Sequence, residues 1–300
     1  MNPSEKYLSQ RLNKQITNKK SPKIFKRFLI SLVGIFLVII LIASFFPIYE
    51  LYSNYLANLA FPNIRINSAE KNSFISADLL ANFSNILKDE VLLEAPLILQ
   101  YPELPRGCEV TSLAMLLNYS GLYINKMELA SKIKKDPSEY QVVNGRTHFG
   151  NPDYGFVGDM YSLSNPGFGV YHGPIFELLS SYLPGQAIDL TGAVFEDLFY
   201  FLNKEIPVWV IINTRFAELS PREFEVWYTS YGPIQITYRQ HAVLLTGFDA
   251  EYVYFNNPLS SQKNQRVAIE TFKKGWIQMG SQAISYIPEN LKLLDILPLE

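Results

Sequence analysis

Cys108 is the only cysteine in a chain of 300 residues, and His148, His172 and His241 are the only side chains whose ordinary titration falls near neutral pH. Cys108 follows a glycine and opens an apolar stretch, RGCEVTSLAMLLNYSG. At a helix start the free amide groups and the helix dipole favour a thiolate, so Cys108 is a candidate nucleophile. The competing assignment is a small buried hydrophobe. A thiol nucleophile needs a base within hydrogen-bond reach and a third group that orients the base. His241 begins an apolar run, HAVLLTGF, and the chain returns through YVYFNNP. If the turn takes the three residues 249–251, antiparallel pairing sets 243 opposite 257 and places Asn257 on the face of His241. Under an even-numbered turn Asn256 takes that place. Either amide oxygen can accept from an imidazole N–H without titrating, and so fix its tautomer and tilt.

The elements that must position these groups read as α+β. APLILQ has the character of a buried strand, and YPELPRG of a loop that delivers the chain to a helix over 108–119, apolar on most sides and stopped by Gly121. Asn125 and Glu128 have capping-box spacing for a second helix, with Pro137 beyond its end. A third helix is expected from Pro174 to Tyr182, and a fourth over TGAVFEDLFYFLNKE capped by Thr191. IPVWVII reads as a central strand, followed by the His241 hairpin, a helix from Phe272 to about Met279 capped by Thr271, and a last strand, AISYI. Residues 136–171 and 213–232 are rich in Gly, Pro and aromatics without periodicity. They are expected to be long loops walling a cleft, with Tyr154 and Phe156 as candidate lining residues. His148 and His172 lie in or beside the first of them, as does Asp159 of FVGD, a candidate to orient a loop or the site.

With 48% hydrophobic and 18% charged residues the chain has a full core to bury. One cysteine excludes an internal disulfide framework and a multi-cysteine zinc site. There is no HExxH or calcium-loop motif, so no metal or cofactor is expected, and no basic patch interleaved with aromatics, so no nucleic-acid partner. Charge is asymmetric: residues 1–27 carry roughly +7 and the remainder roughly −9 within a net of −2. Residues 28–46, FLISLVGIFLVIILIASFF, carry no charge and are long enough to span a ~30 Å hydrocarbon core; a cleaved signal peptide is the alternative. The basic flank at Lys19, Lys20, Lys23, Lys26 and Arg27 puts the amino terminus in the cytoplasm. The expected organisation is a basic cytoplasmic tail (1–27), a transmembrane anchor (28–46), an extracytoplasmic stalk (47–94) and a folded domain (95–300).

PLILQYPELPRGCEVTSLAMLLNYSG, FVGD at 156–159, GFGVY at 167–171 and HAVLLTGFDAEYVYFNNP together resemble the bacterial cysteine peptidases related to the double-glycine bacteriocin-processing peptidases, over about residues 95–287. The resemblance implies a papain-like α+β domain in which a helix bearing Cys108 packs on an antiparallel sheet bearing His241. Cys108 is then the nucleophile and His241 the base, and Gln100 joins the Cys108 N–H as oxyanion donor. The family commonly has aspartate in an Asn-Asp-Pro sequence where this chain has Asn256-Asn257-Pro258; papain-like enzymes use asparagine there. The expectation is a membrane-anchored, outward-facing cysteine peptidase of the bacterial cell surface, hydrolysing a peptide or isopeptide bond of a peptide or protein substrate. The alternative is a catalytically silent papain-like module that binds a peptide or cell-wall ligand.

Overall fold

The computed structural model of the chain describes residues 87–296. The basic tail, the apolar segment 28–46 and the stalk up to residue 86 lie outside the described residues, and among those described no helix is long and apolar enough to cross a membrane. In chain order the elements are β1 (Val91–Leu92), α1 (Cys108–Tyr119), α2 (Lys126–Lys132), β2 (Lys135–Asp136), β3 (Gln141–Val143), β4 (Arg146–His148), β5 (Phe156–Val157), α3 (His172–Tyr182), β6 (Ala187–Asp189), α4 (Asp197–Asn203), β7 (Val208–Asn213), β8 (Glu225–Thr229), β9 (Gly232–Ile236), β10 (Gln240–Phe248), β11 (Tyr252–Asn256), β12 (Gln265–Ala268), α5 (Ile269–Gln278), β13 (Ala283–Tyr286) and α6 (Leu293–Ile296).

The main sheet is antiparallel in every pair and runs β12-β11-β10-β7-β13-β6. All nine residues of β10 and all six of β7 are buried, which is why both read as continuous apolar runs rather than alternating ones. Beyond Leu245, which pairs with Val208 at the start of β7, β1 takes the place of β7 beside β10, pairing Val91 with Phe248 and Leu92 with Gly247. That approach requires a glycine, because a Cβ on Gly247 would collide with the Val91 carbonyl oxygen. The packed domain therefore takes in Val91 and Leu92. Helix α1 is buried from Cys108 to Leu117, and its Val110, Leu113, Leu116 and Leu117 are fully enclosed. Burying such side chains stabilises the domain by about 1.5–3 kcal/mol each.

Several expectations change. APLILQ is extended but joins no ladder: the Asn256 side-chain amide holds the Ala95 and Pro96 carbonyls at 3.1 Å each, and the Gln100 N–H bonds the Pro258 carbonyl. The two irregular stretches, 136–171 and 213–232, together with residues 233–236, build a second sheet, β3-β4-β8-β9, whose β8–β9 hairpin was missed because its apolar positions are few and its partner strand lies far away in sequence. Beneath it Phe149, Val157, Phe168, Tyr171, Trp227 and Ile236 form a small core of their own. Phe156 is wholly buried in the main core and lines no cleft, whereas Tyr154 is exposed and stacks on Tyr231 at 3.8 Å. Thr191 does not cap α4. Its hydroxyl turns to the Ala283 carbonyl on β13, and the chain makes a further turn before the helix begins at Asp197. Thr271 lies inside α5, since β12 runs straight into that helix and the Glu251 carbonyl takes the Ile269 N–H. The Asn125 cap stands as read, its side chain accepting from the Met127 N–H.

Candidate active site

Helix α1 docks where β10 is left without a neighbour. β11 pairs with β10 only from Leu244 onward, so the outer backbone groups of Ala242 need other partners. Ser112 Oγ donates to the Ala242 carbonyl at 3.1 Å, and the Ala242 N–H points at the Cys108 sulfur. The first two turns of α1 thus complete the open strand edge beside His241. Side chains alternate along a strand, so Gln240, Ala242 and Leu244 share one face of β10 and His241 and Val243 the other. Cys108 sits at the edge between these two faces.

On the His241 face, the imidazole Nε2 is 2.8 Å from Asn257 Oδ1. The same oxygen accepts the Leu259 N–H at 3.0 Å, a group that can only donate, and Asn257 Nδ2 is held by Gln265 Oε1 at 2.9 Å. The amide orientation follows from these partners, and so does the tautomer: Nε2 carries the proton and Nδ1 the lone pair. Asn256 is occupied elsewhere, its Nδ2 on the Ala95 and Pro96 carbonyls and its Oδ1 on the Asn264 N–H.

Burial holds His241 down at about 4, with its bond to Asn257 acting in the other direction. It is a neutral base at neutral pH. Between about 4 and 6.5 the folded chain binds fewer protons than the unfolded one, so stability from this group is full above 6.5 and is lost as pH falls toward 4. We expect wild type to lose about 2–3 kcal/mol between pH 7 and 4.5 relative to His241→Gln, which cannot take up the proton. Urea unfolding of both proteins at the two pH values measures this; parallel losses would contradict it.

The thiol behaves unlike the helix-start expectation. Burial first, and the charge of Glu109 second, push Cys108 well above its ordinary value, outweighing the Ala242 and Cys108 N–H groups that act the other way. Its hydrogen bond runs from Sγ to Glu109 Oε2 at 3.3 Å. Among the described residues no hydrogen bond joins Cys108 to His241. Sequence reasoning missed Glu109, although a signal was present: it is the sole charged residue of CEVTSLAMLLNY, a helix buried over ten consecutive positions. It is fully enclosed, and its Oε1 accepts from the Val170 N–H at 3.0 Å and Gln240 Nε2 at 3.1 Å. Its backbone carbonyl accepts from Trp209 Nε1 at 3.0 Å. Gly169 leaves the room, since a Cβ there would strike Glu109 Oε1.

Gln100 is buried beside the loop that leads to Cys108, but its Nε2 already donates to the Leu104 and Pro105 carbonyls at 3.2 and 2.9 Å, and its Oε1 has no partner among the described residues. The other candidates are placed apart from the thiol's bonding partners. His148 stacks on Tyr228 in the second sheet, and His172 Nε2 lies 3.5 Å from Asp189 with Nδ1 on Gln282. Asp159 organises its own loop by accepting from the Tyr161 and Ser162 N–H groups and from Asn165, while its carbonyl receives Arg106 Nη1 at 3.1 Å. That bond ties FVGD to the approach to Cys108.

The model of the Peptidase_C39 like family matches residues 92–284, which contain this entire constellation. The chain belongs to this family. The chain is 43% identical over 183 residues to the uncharacterised protein YvpB of Bacillus subtilis (strain 168), a match covering 61% of this chain and 70% of that protein. Among solved structures it is similar to one described as a C39-like peptidase from Bacillus anthracis, with a TM-score of 0.63 and 47% identity over 67% of this chain and 99% of the other. The α+β architecture with an antiparallel sheet is that of a C39-like peptidase domain.

Proposed function

We propose that the protein is a membrane-anchored cysteine peptidase of papain-like architecture, facing outward and hydrolysing a peptide or isopeptide bond. The observation that carries the reading is the His241 Nε2–Asn257 Oδ1 bond. It leaves a neutral imidazole whose Nδ1 lone pair is unclaimed among the described residues, on the strand whose edge the Cys108 helix completes. In the mechanism, Nδ1 takes the proton from Cys108 Sγ and the sulfur bonds to the substrate carbonyl carbon. The Cys108 N–H receives the developing oxyanion. As the C–N bond breaks, the leaving amine takes the proton from His241, and water then hydrolyses the thioester. Gln100 serves as the second oxyanion donor by releasing one of the two carbonyls it holds. Membrane attachment rests on the uncharged run at 28–46 and its basic flank.

A second reading, a catalytically silent module binding a peptide or cell-wall ligand at the cell surface, draws on the thiol's bond to Glu109 in place of His241. One experiment separates the two. Cell-surface material from wild-type and Cys108→Ala strains is compared by peptidomics, alongside labelling of the full chain with an electrophilic thiol probe. Fragments present only with Cys108, and labelling lost in His241→Ala, are expected. Identical peptide profiles with a probe-resistant Cys108 would favour the binding module.

A further inference from the structure

Glu109 is the buried ionisable group that the mechanism above leaves unused. It receives three donors, Cys108 Sγ, the Val170 N–H and Gln240 Nε2; burial raises its pKa above the ordinary carboxylate value, and these donors act in the other direction, favouring the carboxylate. Of these partners Gln240 stands on β10, on the face opposite His241. The sulfur therefore stands at a strand edge with a carboxylate on one side and the base on the other, and it is turned to the carboxylate.

We propose that Glu109 is a positioning residue that holds the thiol in a resting state: it retains the Cys108 hydrogen on the Gln240 face until the sulfur swings across the β10 edge to His241 Nδ1. This rests on the reading of Cys108 as nucleophile. The carboxylate is itself fixed by its two nitrogen donors, by the Trp209 indole on its backbone carbonyl and by the Cβ-free space at Gly169. The charged and titratable groups around the pair are His241 on β10 and Tyr171 beside Val170, with Asp153 beyond Tyr171. The other groups packed there, Ser112, Trp209 and Gln240, carry no charge. Movement of the proton to His241 leaves a thiolate facing a carboxylate, so a substrate that displaces the sulfur from Glu109 also removes that repulsion.

Because Cys108 is the only cysteine, its alkylation by iodoacetamide, followed by intact mass over pH 5–10, reads one sulfur alone. In Glu109→Gln the amide oxygen keeps the Val170 and Gln240 bonds, and the amide N–H₂ faces the sulfur as a donor. The alkylation profile is expected to move down by about one pH unit or more, about tenfold faster at pH 7.5. Superimposable profiles of wild type and a cooperatively melting Glu109→Gln would overturn the proposal. Should the variant not fold, the wild-type profile still tests the proposal: a midpoint at or below that of an ordinary thiol overturns it. His241→Ala in the same assay keeps the two ideas separate. An unchanged rate in that variant beside a shifted Glu109→Gln profile counts against His241 as base and leaves the role of Glu109 standing.

Discussion

Replacing His241 by alanine is expected to lower kcat/KM for peptide hydrolysis by roughly 10³–10⁴-fold while the domain remains folded. The expectation follows from the state of the two partners. Burial and Glu109 keep the thiol protonated near neutral pH, so the sulfur depends on an acceptor for its proton far more than an exposed thiol would. His241 is the neutral acceptor whose tautomer Asn257 and Leu259 determine. Asn257→Ala leaves the imidazole in place and removes one neutral hydrogen bond, so a smaller loss of about tenfold is expected. The acid limb of kcat/KM should lie near pH 4, where burial places the imidazole. Steady-state rates on a fluorogenic peptide cleaved by wild type provide the test. A His241→Ala enzyme within tenfold of wild type would remove the imidazole from the mechanism.

Trp209→Ala should produce the largest loss of stability of any single change at the site, about 4–5 kcal/mol. Trp209 is among the largest fully buried side chains and stands on the central strand β7 opposite Leu244. Its removal opens a cavity between β7, β10 and the start of α1. The Glu109 carbonyl, which the indole Nε1 holds at 3.0 Å, is then left without that donor. Domains of this size have about 5–15 kcal/mol in all, so the variant should be close to unfolding at 37 °C. Trp209→Phe keeps much of the volume and loses the hydrogen bond, so it should lie between the two. Urea midpoints with an unchanged slope measure both changes; a loss below about 2 kcal/mol for the alanine variant would mean that the site collapses around the gap.

The Cys108 helix and the His241 hairpin were legible in the sequence because each is one long apolar run bounded by clear turn residues. Glu109 was not. Its role depends on Val170 and Gln240, 61 and 131 positions away, and no local pattern in a helix announces that a carboxylate will find donors at such distances. The second sheet was hidden for the same reason. Its strands are three to five residues long and pair in part across some 80 positions, as His148 does with Tyr228.

Asn257 as the orienting residue came from an argument about the turn, and the register it required does occur, Leu244 opposite Asn256. The route differs. At the turn Phe248 pairs with Val253, the register that would have brought Asn256 to the His241 face, and a bulge between Leu245 and Gly247 then restores the other one. Thr246, the extra residue, is held by the Leu93 N–H on its carbonyl and by Asn264 on its hydroxyl. By itself the sequence determined the family, the cysteine at the head of a buried helix and the histidine at the head of a buried strand, because burial and helix starts leave a local imprint. Tertiary structure alone decided which asparagine meets the imidazole and which way the thiol turns. Register depends on a bulge that distant strands stabilise, and the thiol's orientation depends on a carboxylate whose hydrogen-bond donors are brought together only by folding.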